Sequence, residues 1–380
     1  MPVDDELAEL TIAWSNINSG TDHVDGVNAM AHATADAFGP LADNVDIRPL
    51  PTRPVIDAGG NVQRRPVGPA VVITKAGTGP RVLLSAHLDT VFPKDSPFQV
   101  ARRDGDRLRG PGVADIKGGI VVMLHALRTA DISLPWTVVL NPDEEVGSPS
   151  STPLLHELAR QHDVGFVFEP AVDGKLAANR GGSGSFDLIL RGRSAHVGRN
   201  FADGSSAIHL ACEATNLLVG LNAADGVTVN IGKIDGGGPP NVVADLAVVR
   251  MNVRVADAEK QEGFENDLRR LATVLGRREG ITAELHGAFF SPPKPACEPL
   301  LDLVIDCGKS LGLDIGKRDT AGVCDGNKLA AAGLRNVDTM GVIGGGLHSH
   351  DEWCSVDSLR SRGELLANVL KRIERDGLLW

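Results

Sequence analysis

The sequence predicts an α/β fold with a mostly parallel sheet, into which a ferredoxin-like βαββαβ unit is inserted. Three observations carry this expectation. Up to about residue 170, short runs that are nearly all apolar, 71–73, 81–86, 137–140 and 164–168, alternate with helix-like segments, and such runs suit strands buried on both faces. From about residue 181 the order changes to strand (185–190), helix (205–221), two strands (227–234 and 242–255), helix (259–278) and strand (282–290), a split βαβ arrangement. This stretch is flanked by hinge-like sequence: a Gly-containing basic segment, Arg191 to Arg193, near its start, and S-P-P-K-P-A-C-E-P, with four prolines, at its end.

Taken in order, the segments 24–38, 118–128 and 151–161 are the helices that a parallel sheet needs between its strands. After residue 294 the alternation resumes, and an amphipathic last helix over 358–375 returns to the first domain. The expected division is therefore 1–180 and 294–380 as two parts of one domain, with 181–293 inserted and hinges near 180 and 293. No internal repeat or low-complexity tract interrupts this scheme. In open α/β sheets ligands bind beyond the strand C-termini, and three of the strands end in His87 and Asp89, in Asp143 to Glu145, and in Glu169.

Composition narrows the function. The chain has 380 residues, a formal charge of −11 and 42% apolar residues, the make-up of a soluble globular protein. At roughly 150 residues per domain this length suggests two or three domains. The five cysteines are scattered and form no C-x-x-C pair, which argues against a disulfide framework or a thiolate zinc site and for free thiols in a reducing cytoplasm. The acidic N-terminal MPVDDELAEL has no secretory pattern. The longest apolar stretch, 118–127, contains His125 and stops at Arg128, short of a membrane span. An acidic chain with 4% aromatics and no Tyr offers neither the positive field nor the stacking platforms that nucleic acid needs.

Five short segments each place a potential metal ligand at a strand end or turn: SAHLDT (His87, Asp89), GPGVADIKGG (Asp115), NPDEEVGS (Glu144, Glu145), VFEPA (Glu169) and GGGLHSHDEW (His348, His350). Singly, each reads as readily as a cap or a solvated turn. Together, two histidines and three carboxylates without thiolates suffice for two ions that share one bridging ligand, the donor set of a two-metal hydrolase.

The ordered series H-x-D (His87, Asp89), G-x-x-D-x-K-G-G (Gly112 to Gly119), D-E-E-x-G-S (Asp143 to Ser148), F-E-P (Phe168 to Pro170), S-A-H (Ser194 to His196) and H-S-x-x-E (His348 to Glu352) resembles the M20 metallopeptidases over essentially the whole chain. The carboxypeptidase G-like pattern is the most similar, through G-P-G-V-A-D, E-E-V-G-S, F-E-P and the V-C-D-G-N turn. The resemblance implies a zinc-hydrolase catalytic domain whose insert serves as lid and dimerisation domain. It assigns two Zn2+ per subunit, with Co2+ or Mn2+ as alternatives, to His87 and Glu169 on one ion, Glu145 and His348 on the other, and Asp115 between them. Glu144 is then the general base. Asp89 fixes the His87 imidazole, or is a plain turn cap. His350 competes with His348, and only His348 satisfies H-S-x-x-E.

The same resemblance gives His196 the task of stabilising the oxyanion in the partner subunit's site, which implies a homodimer through the insert. Asn241 and Arg254, thirteen residues apart in NVVADLAVVRMNVR, match positions that bind a substrate carboxylate, for which the Arg fork is suited. Ala244 stands where many relatives have Pro. Arg180, Asp325 and Asn327 match positions near the cleft, the last two as substrate-orienting or turn residues. Cys324 beside them raises the competing idea of a thiol nucleophile, for which no paired His is visible. The expected function is hydrolysis of an amide next to a free carboxylate, either release of a C-terminal amino acid or deacylation of an N-acyl amino acid. The expected substrate is accordingly a small N-acyl amino acid or peptide. A non-catalytic dimeric metal-binding scaffold is the reading from another class.

Overall fold

Residues 2–223 and 226–378 are described here by a computed structural model. The apolar runs at 82–87, 136–141 and 164–167 become strands whose residues are all buried, as runs apolar on both faces require. They lie in a six-stranded sheet with the spatial order Asn44–Arg48, Ala70–Lys75, Trp136–Asn141, Val82–His87, Val164–Val167 and Asn336–Val337. The three pairings among the last four strands are parallel, and the two at the other side are antiparallel. Within the mostly parallel sheet that the sequence predicts, the run at 71–73 is the strand that runs antiparallel to both its neighbours. Its apolar run reports burial on two faces and carries no information on direction.

Helices cover both faces. Val24–Phe38, Lys117–Thr129, Glu298–Ser310 and Val356–Asp376 share the larger core with Val82, Leu84 and Val138, while Thr152–Gln161 and Asp325–Ala331 pack on the opposite side with Leu83 and Val139. The last helix is longer by two residues at its start than its periodicity predicts. An N-terminal helix, Val3–Ser15, also joins the larger core, through Leu7, Ala8 and Trp14.

Residues 182–291 build a second sheet with a core of its own. Its order is Val227–Gly236, Leu246–Val255, Gly182–Arg191, Thr282–Ser291, antiparallel throughout. Helices Ala207–Gly220 and Ala258–Gly276 pack on one face, against Leu188, Val249 and Phe289. The βαββαβ order is as expected, with two differences at its edges. Arg191 to Arg193 do not lead into the first strand but end it, and the chain crosses at Arg180 to Gly182 instead. The third strand begins at Leu246 and not at 242, because Val242 bridges to His196 in a separate loop contact.

The opposite face of this sheet is partly covered by a hairpin, Arg53–Ile56 with Val62–Arg65, that is unexpected from the sequence. Ile56 packs on Ile189 and Val248, and Arg191 donates to the carbonyls of Gly59 and Gly60 at 3.2 and 2.9 Å. Gly60 is required here: its φ is +71°, and a Cβ would lie 2.8 Å from Ile189.

Candidate dinuclear metal centre

The ligand candidates converge because their strands run parallel and end together. His87 closes Val82–His87, Glu144 and Glu145 follow Trp136–Asn141, and Glu169 follows Val164–Val167. Two triads result. His87 Nε2 lies 3.2 Å from Asp115 Oδ1 and 4.0 Å from Glu169 Oε1. His348 Nε2 lies 3.2 Å from Asp115 Oδ2 and 3.3 Å from Glu145 Oε2. In each triad the donor atoms fall within 4.8 Å of one another, and Asp115 contributes one oxygen to each. His350 is elsewhere, stacked on Phe98 with ring centroids 5.4 Å apart. The turn that aims His348 depends on Gly346, at φ +67°, where a Cβ would meet the Asp351 carbonyl at 2.3 Å.

Neighbouring residues fix the triads. The Asp89 carboxylate accepts the backbone N–H of Glu144 and of Glu145, at 3.1 and 3.2 Å, and the Thr21 hydroxyl at 2.7 Å. The nearer partner of His87 Nδ1 is the Asp89 carbonyl, at 2.9 Å, and the Asp89 carboxylate stands 3.4 Å away. Asp89 is therefore both the cap of the Glu144 turn and a neighbour of the imidazole. Glu352, named in the sequence only as a motif member, is buried and accepts the backbone N–H groups of Gly112, Ala114 and Asp115, at 3.2, 2.9 and 3.1 Å. It shapes the loop that presents Asp115. Burial and the Asp115 charge push its carboxyl up to about 7 despite those donors.

Crowding like charges in a buried place has the expected effect. Burial and the Asp115 carboxylate hold Glu145 and Glu169 well above the usual range. Asp115 moves the other way: burial raises it, but hydrogen bonds from His348 and His87 more than offset this and keep it ionised. Hydrogen bonds to Asp115 raise the pKa of His348, and for His87 the bonds to Asp115 and Asp89 overcome burial with the same result. Glu145 Oε1 is buried without a partner. Nitrogen and oxygen donors, excess buried carboxylate and an orphaned oxygen together fit two divalent cations of the Zn, Co or Mn kind. Because Glu145 and Glu169 favour their protonated forms, cation loading is expected to release protons at pH 7 and to weaken as pH falls towards 6. Titration calorimetry of the metal-free protein in buffers of different ionisation enthalpy measures this, and a buffer-independent heat would contradict it.

Glu144 lines a cleft of about 370 Å3 together with Asp115, Glu169, His348, Lys175 and Arg318. Burial and the nearby Asp325 push its carboxyl up to about 7. The cations Lys175 and Arg318 were not found by sequence reading, since no local pattern marks them: strand Lys317–Thr320 reaches the cleft by pairing in parallel with Leu176–Arg180. Arg254 lines the adjoining cavity of about 460 Å3, and Arg180 and Thr320 belong to both. Burial lowers the Arg254 pKa, and among the described residues it has no carboxylate partner: Nε donates to the Asn252 side chain at 3.0 Å.

The remaining candidates lie apart from this cluster. His196 is exposed, and its Nδ1 accepts the Gly198 N–H. Asn241 is its neighbour in the same loop region, its carbonyl accepting the Val197 N–H at 3.0 Å. Asp325 and Asn327 do not face substrate space. Asp325 is buried between Ser148 and Lys328, at 2.5 and 2.9 Å, and the Asn327 amide is spent on the carbonyls of Gly181 and Pro292. Cys324 is buried with its thiol pushed well up by burial, the opposite of what a nucleophile needs.

A mostly parallel α/β sheet that gathers nitrogen and oxygen donor triads at its strand ends, around a buried carboxylate and an open cleft, has the make-up of a metal-dependent hydrolase. The profile of Peptidase family M20/M25/M40 matches residues 83–372, and the chain belongs to that family. It is a hydrolase of peptide or amide bonds. Carboxypeptidase G2 of Pseudomonas sp. (strain RS-16) is 27% identical over 320 residues, covering 78% of this chain and 74% of that one. N-acetyl-L-citrulline deacetylase of Xanthomonas campestris is 29% identical over 231 residues, covering 57% and 60%. A Bacillus subtilis dinuclear metal-binding peptidase of the M20 family shares the fold, with a TM-score of 0.67, 14% identity and 98% of each chain covered. No helix among the described residues is long and apolar enough to cross a membrane.

Proposed function

We propose that this protein is a two-metal amidohydrolase that cleaves an amide bond next to a free carboxylate, releasing a C-terminal amino acid in the manner of a carboxypeptidase G. The observation that carries this is the pair of triads sharing Asp115, with Glu144 beside them and Arg254, without a carboxylate partner among the described residues, in the adjoining cavity. His87, Asp115 and Glu169 hold one cation, and Asp115, Glu145 and His348 the other. Bound there, two Zn2+ ions, or Co2+ or Mn2+, supply Lewis-acid charge to the scissile carbonyl and acidity to the attacking water. Glu144 takes the water's proton and passes it to the leaving nitrogen, a task suited to a carboxyl whose pKa lies near neutrality. Asp89 and Glu352 hold the ligand loops in place, so the donor atoms need not reorganise as the reaction proceeds.

Arg254 binds the free carboxylate, and Asn241 helps in the same task. The chain works as a catalytic body, 1–180 and 294–380, with a lid and dimerisation unit at 181–293. Two features support pairing of two copies through this unit. Val227–Gly236 is an edge strand with one side unpaired, it carries exposed Ile234 and lies near exposed Leu217 and Val219, and the exposed His196 stands apart from the triads of its own chain. His196 then serves the partner's oxyanion. The five cysteines, none in a disulfide, are consistent with work in the cytoplasm. Similarity to a deacetylase of N-acetyl-L-citrulline favours one alternative, deacylation of an N-acyl amino acid by the same machinery.

Metal content per subunit, followed by turnover of N-acyl amino acids and dipeptides before and after Zn2+ or Co2+ is restored, tests the reaction. Two equivalents with metal-dependent release of a free amino acid are expected, and no metal with no rescue would overturn the proposal. Arg254→Leu should raise KM for a substrate with a free carboxylate about 10- to 100-fold, the effect of losing a charged hydrogen bond, with a small change in kcat. The corresponding substrate amide should not distinguish the two enzymes. An equal loss on both would mean that Arg254 does not read the carboxylate.

A further inference from the structure

The chain passes between the body and the second sheet twice, and both crossings are gripped by the same few buried side chains. Arg180 and Lys294 exchange two backbone hydrogen bonds of 2.9 Å, which makes the crossings a single two-stranded junction. The Asp338 carboxylate, fully buried, lies 2.7 Å from Arg180 Nη2 and 3.1 Å from Lys294 Nζ. Asn327 donates its one amide group to the Gly181 carbonyl, at 3.0 Å, and to the Pro292 carbonyl, at 2.7 Å, one on each crossing, while its Oδ1 accepts the Cys324 N–H at 3.1 Å. Lys328, one residue on, reaches the Ser291 hydroxyl at 3.2 Å.

The carbonyls of Gly181 and Pro292 are part-buried at the junction, and a C=O withdrawn from water without a donor is costly. Asn has two amide protons on one planar group, so a single side chain can satisfy both carbonyls and fix their separation. The residue after Gly181 pairs with Val255 in the sheet, and Val255 follows Arg254. Fixing the junction therefore fixes where that strand end, and with it the Arg254 guanidinium, stands relative to the triads. We propose that Asn327 is a hinge clamp: it holds both crossings to the body and so sets the angle at which the second sheet presents Arg254 to the metal cleft.

Asn327→Ala tests this through hydrogen exchange, which does not depend on the proposed reaction. The amides of Arg180, Gly181 and Lys294 should exchange about tenfold faster or more, while those within Val82–His87 and Leu246–Val255 keep their wild-type rates. Small-angle scattering should show a broader distance distribution for the variant. Unchanged exchange at the junction, or an equal acceleration throughout the chain, would overturn the clamp. Should Asn327→Ala not fold, Asn327→Ser, which can still donate to one carbonyl, is read by the same two criteria. The connection to Arg254 rests on the carboxylate-binding reading, and there KM should rise about tenfold with kcat held. Faster junction exchange with unchanged KM would overturn that connection and leave the carboxylate reading to its own test. Absence of any turnover in the wild type would count against the proposed reaction, and the exchange result would still decide the clamp.

Discussion

Glu144→Gln is expected to bind its two cations normally and to lose about 10²- to 10⁴-fold in kcat, the usual contribution of a positioned acid–base group. The amide occupies the same volume but cannot accept and release a proton. Glu144 is not a member of either triad, so stoichiometry should survive; the Asp89 carboxylate continues to hold the backbone N–H of residue 144. The wild-type rate should carry an acid limb. Burial and Asp325 hold the carboxyl up to about 7 before cations are added, and added positive charge beside it lowers that value, leaving the base ionised at neutral pH. Turnover should therefore fall as pH drops below neutrality, with a limb belonging to Glu144 that the residual activity of the Gln variant lacks. Full activity of a metal-loaded Gln variant would remove Glu144 from the mechanism.

Asp338→Ala is expected to cost about 3–5 kcal/mol of stability at pH 7, because it strands two buried cations at once. Arg180 and Lys294 are 7% and 2% exposed, and Asp338 is fully buried, so bulk water does not solvate the two cations in the carboxylate's place. Arg180 keeps a bond to the Gly322 carbonyl at 2.8 Å, but among the described residues Lys294 has no second carboxylate. Burial alone would raise the Asp338 pKa; the two cations more than offset it and the folded value lies below the ordinary one. A depressed carboxyl contributes stability in full above its unfolded pKa and loses it as pH falls through the folded value. The wild-type advantage over Asp338→Ala should accordingly be constant above about pH 5 and shrink in acid. Urea midpoints at several pH values measure both effects, and a difference under about 1 kcal/mol at pH 7 would contradict the account.

What the sequence made legible follows from how local each signal is. His87, Glu145 and Glu169 stand at or just beyond the ends of apolar runs, and a parallel sheet brings such ends together, so these candidates could be singled out from pattern, while their assignment to two ions came from the resemblance. His348 needed the H-S-x-x-E spacing, and the structure separates it from His350 by a stacking contact with Phe98. The split βαββαβ order was legible because its helices and strands are long and periodic. The hairpin 53–65 was not: its strands have four residues each, and most of its side chains are at least partly exposed. Direction of the 70–75 strand was hidden for the reason given above. Asn327 and Asp338 were beyond reach as well. Their partners are up to 158 residues away in the chain, and a D-G-N turn looks the same whether its amide faces a ligand or two backbone carbonyls.

The last helix, Val356–Asp376, packs against Lys117–Thr129 and Val3–Ser15 and puts Leu359, Leu366, Leu370 and Ile373 into the larger core. During synthesis it leaves the ribosome after everything that it covers. The second sheet and its helices, by contrast, are contiguous from 182 to 291 and can close their own core while the body still waits for its final strand and helix. For the interval in which residues 294–376 are being made, the face of Lys117–Thr129 that carries His125, against which Gly363 packs, stays open to any apolar surface nearby. Chaperone demand should therefore centre on the half-built body and not on the insert, and truncations near residue 355 should be recovered in aggregates that contain a folded second unit.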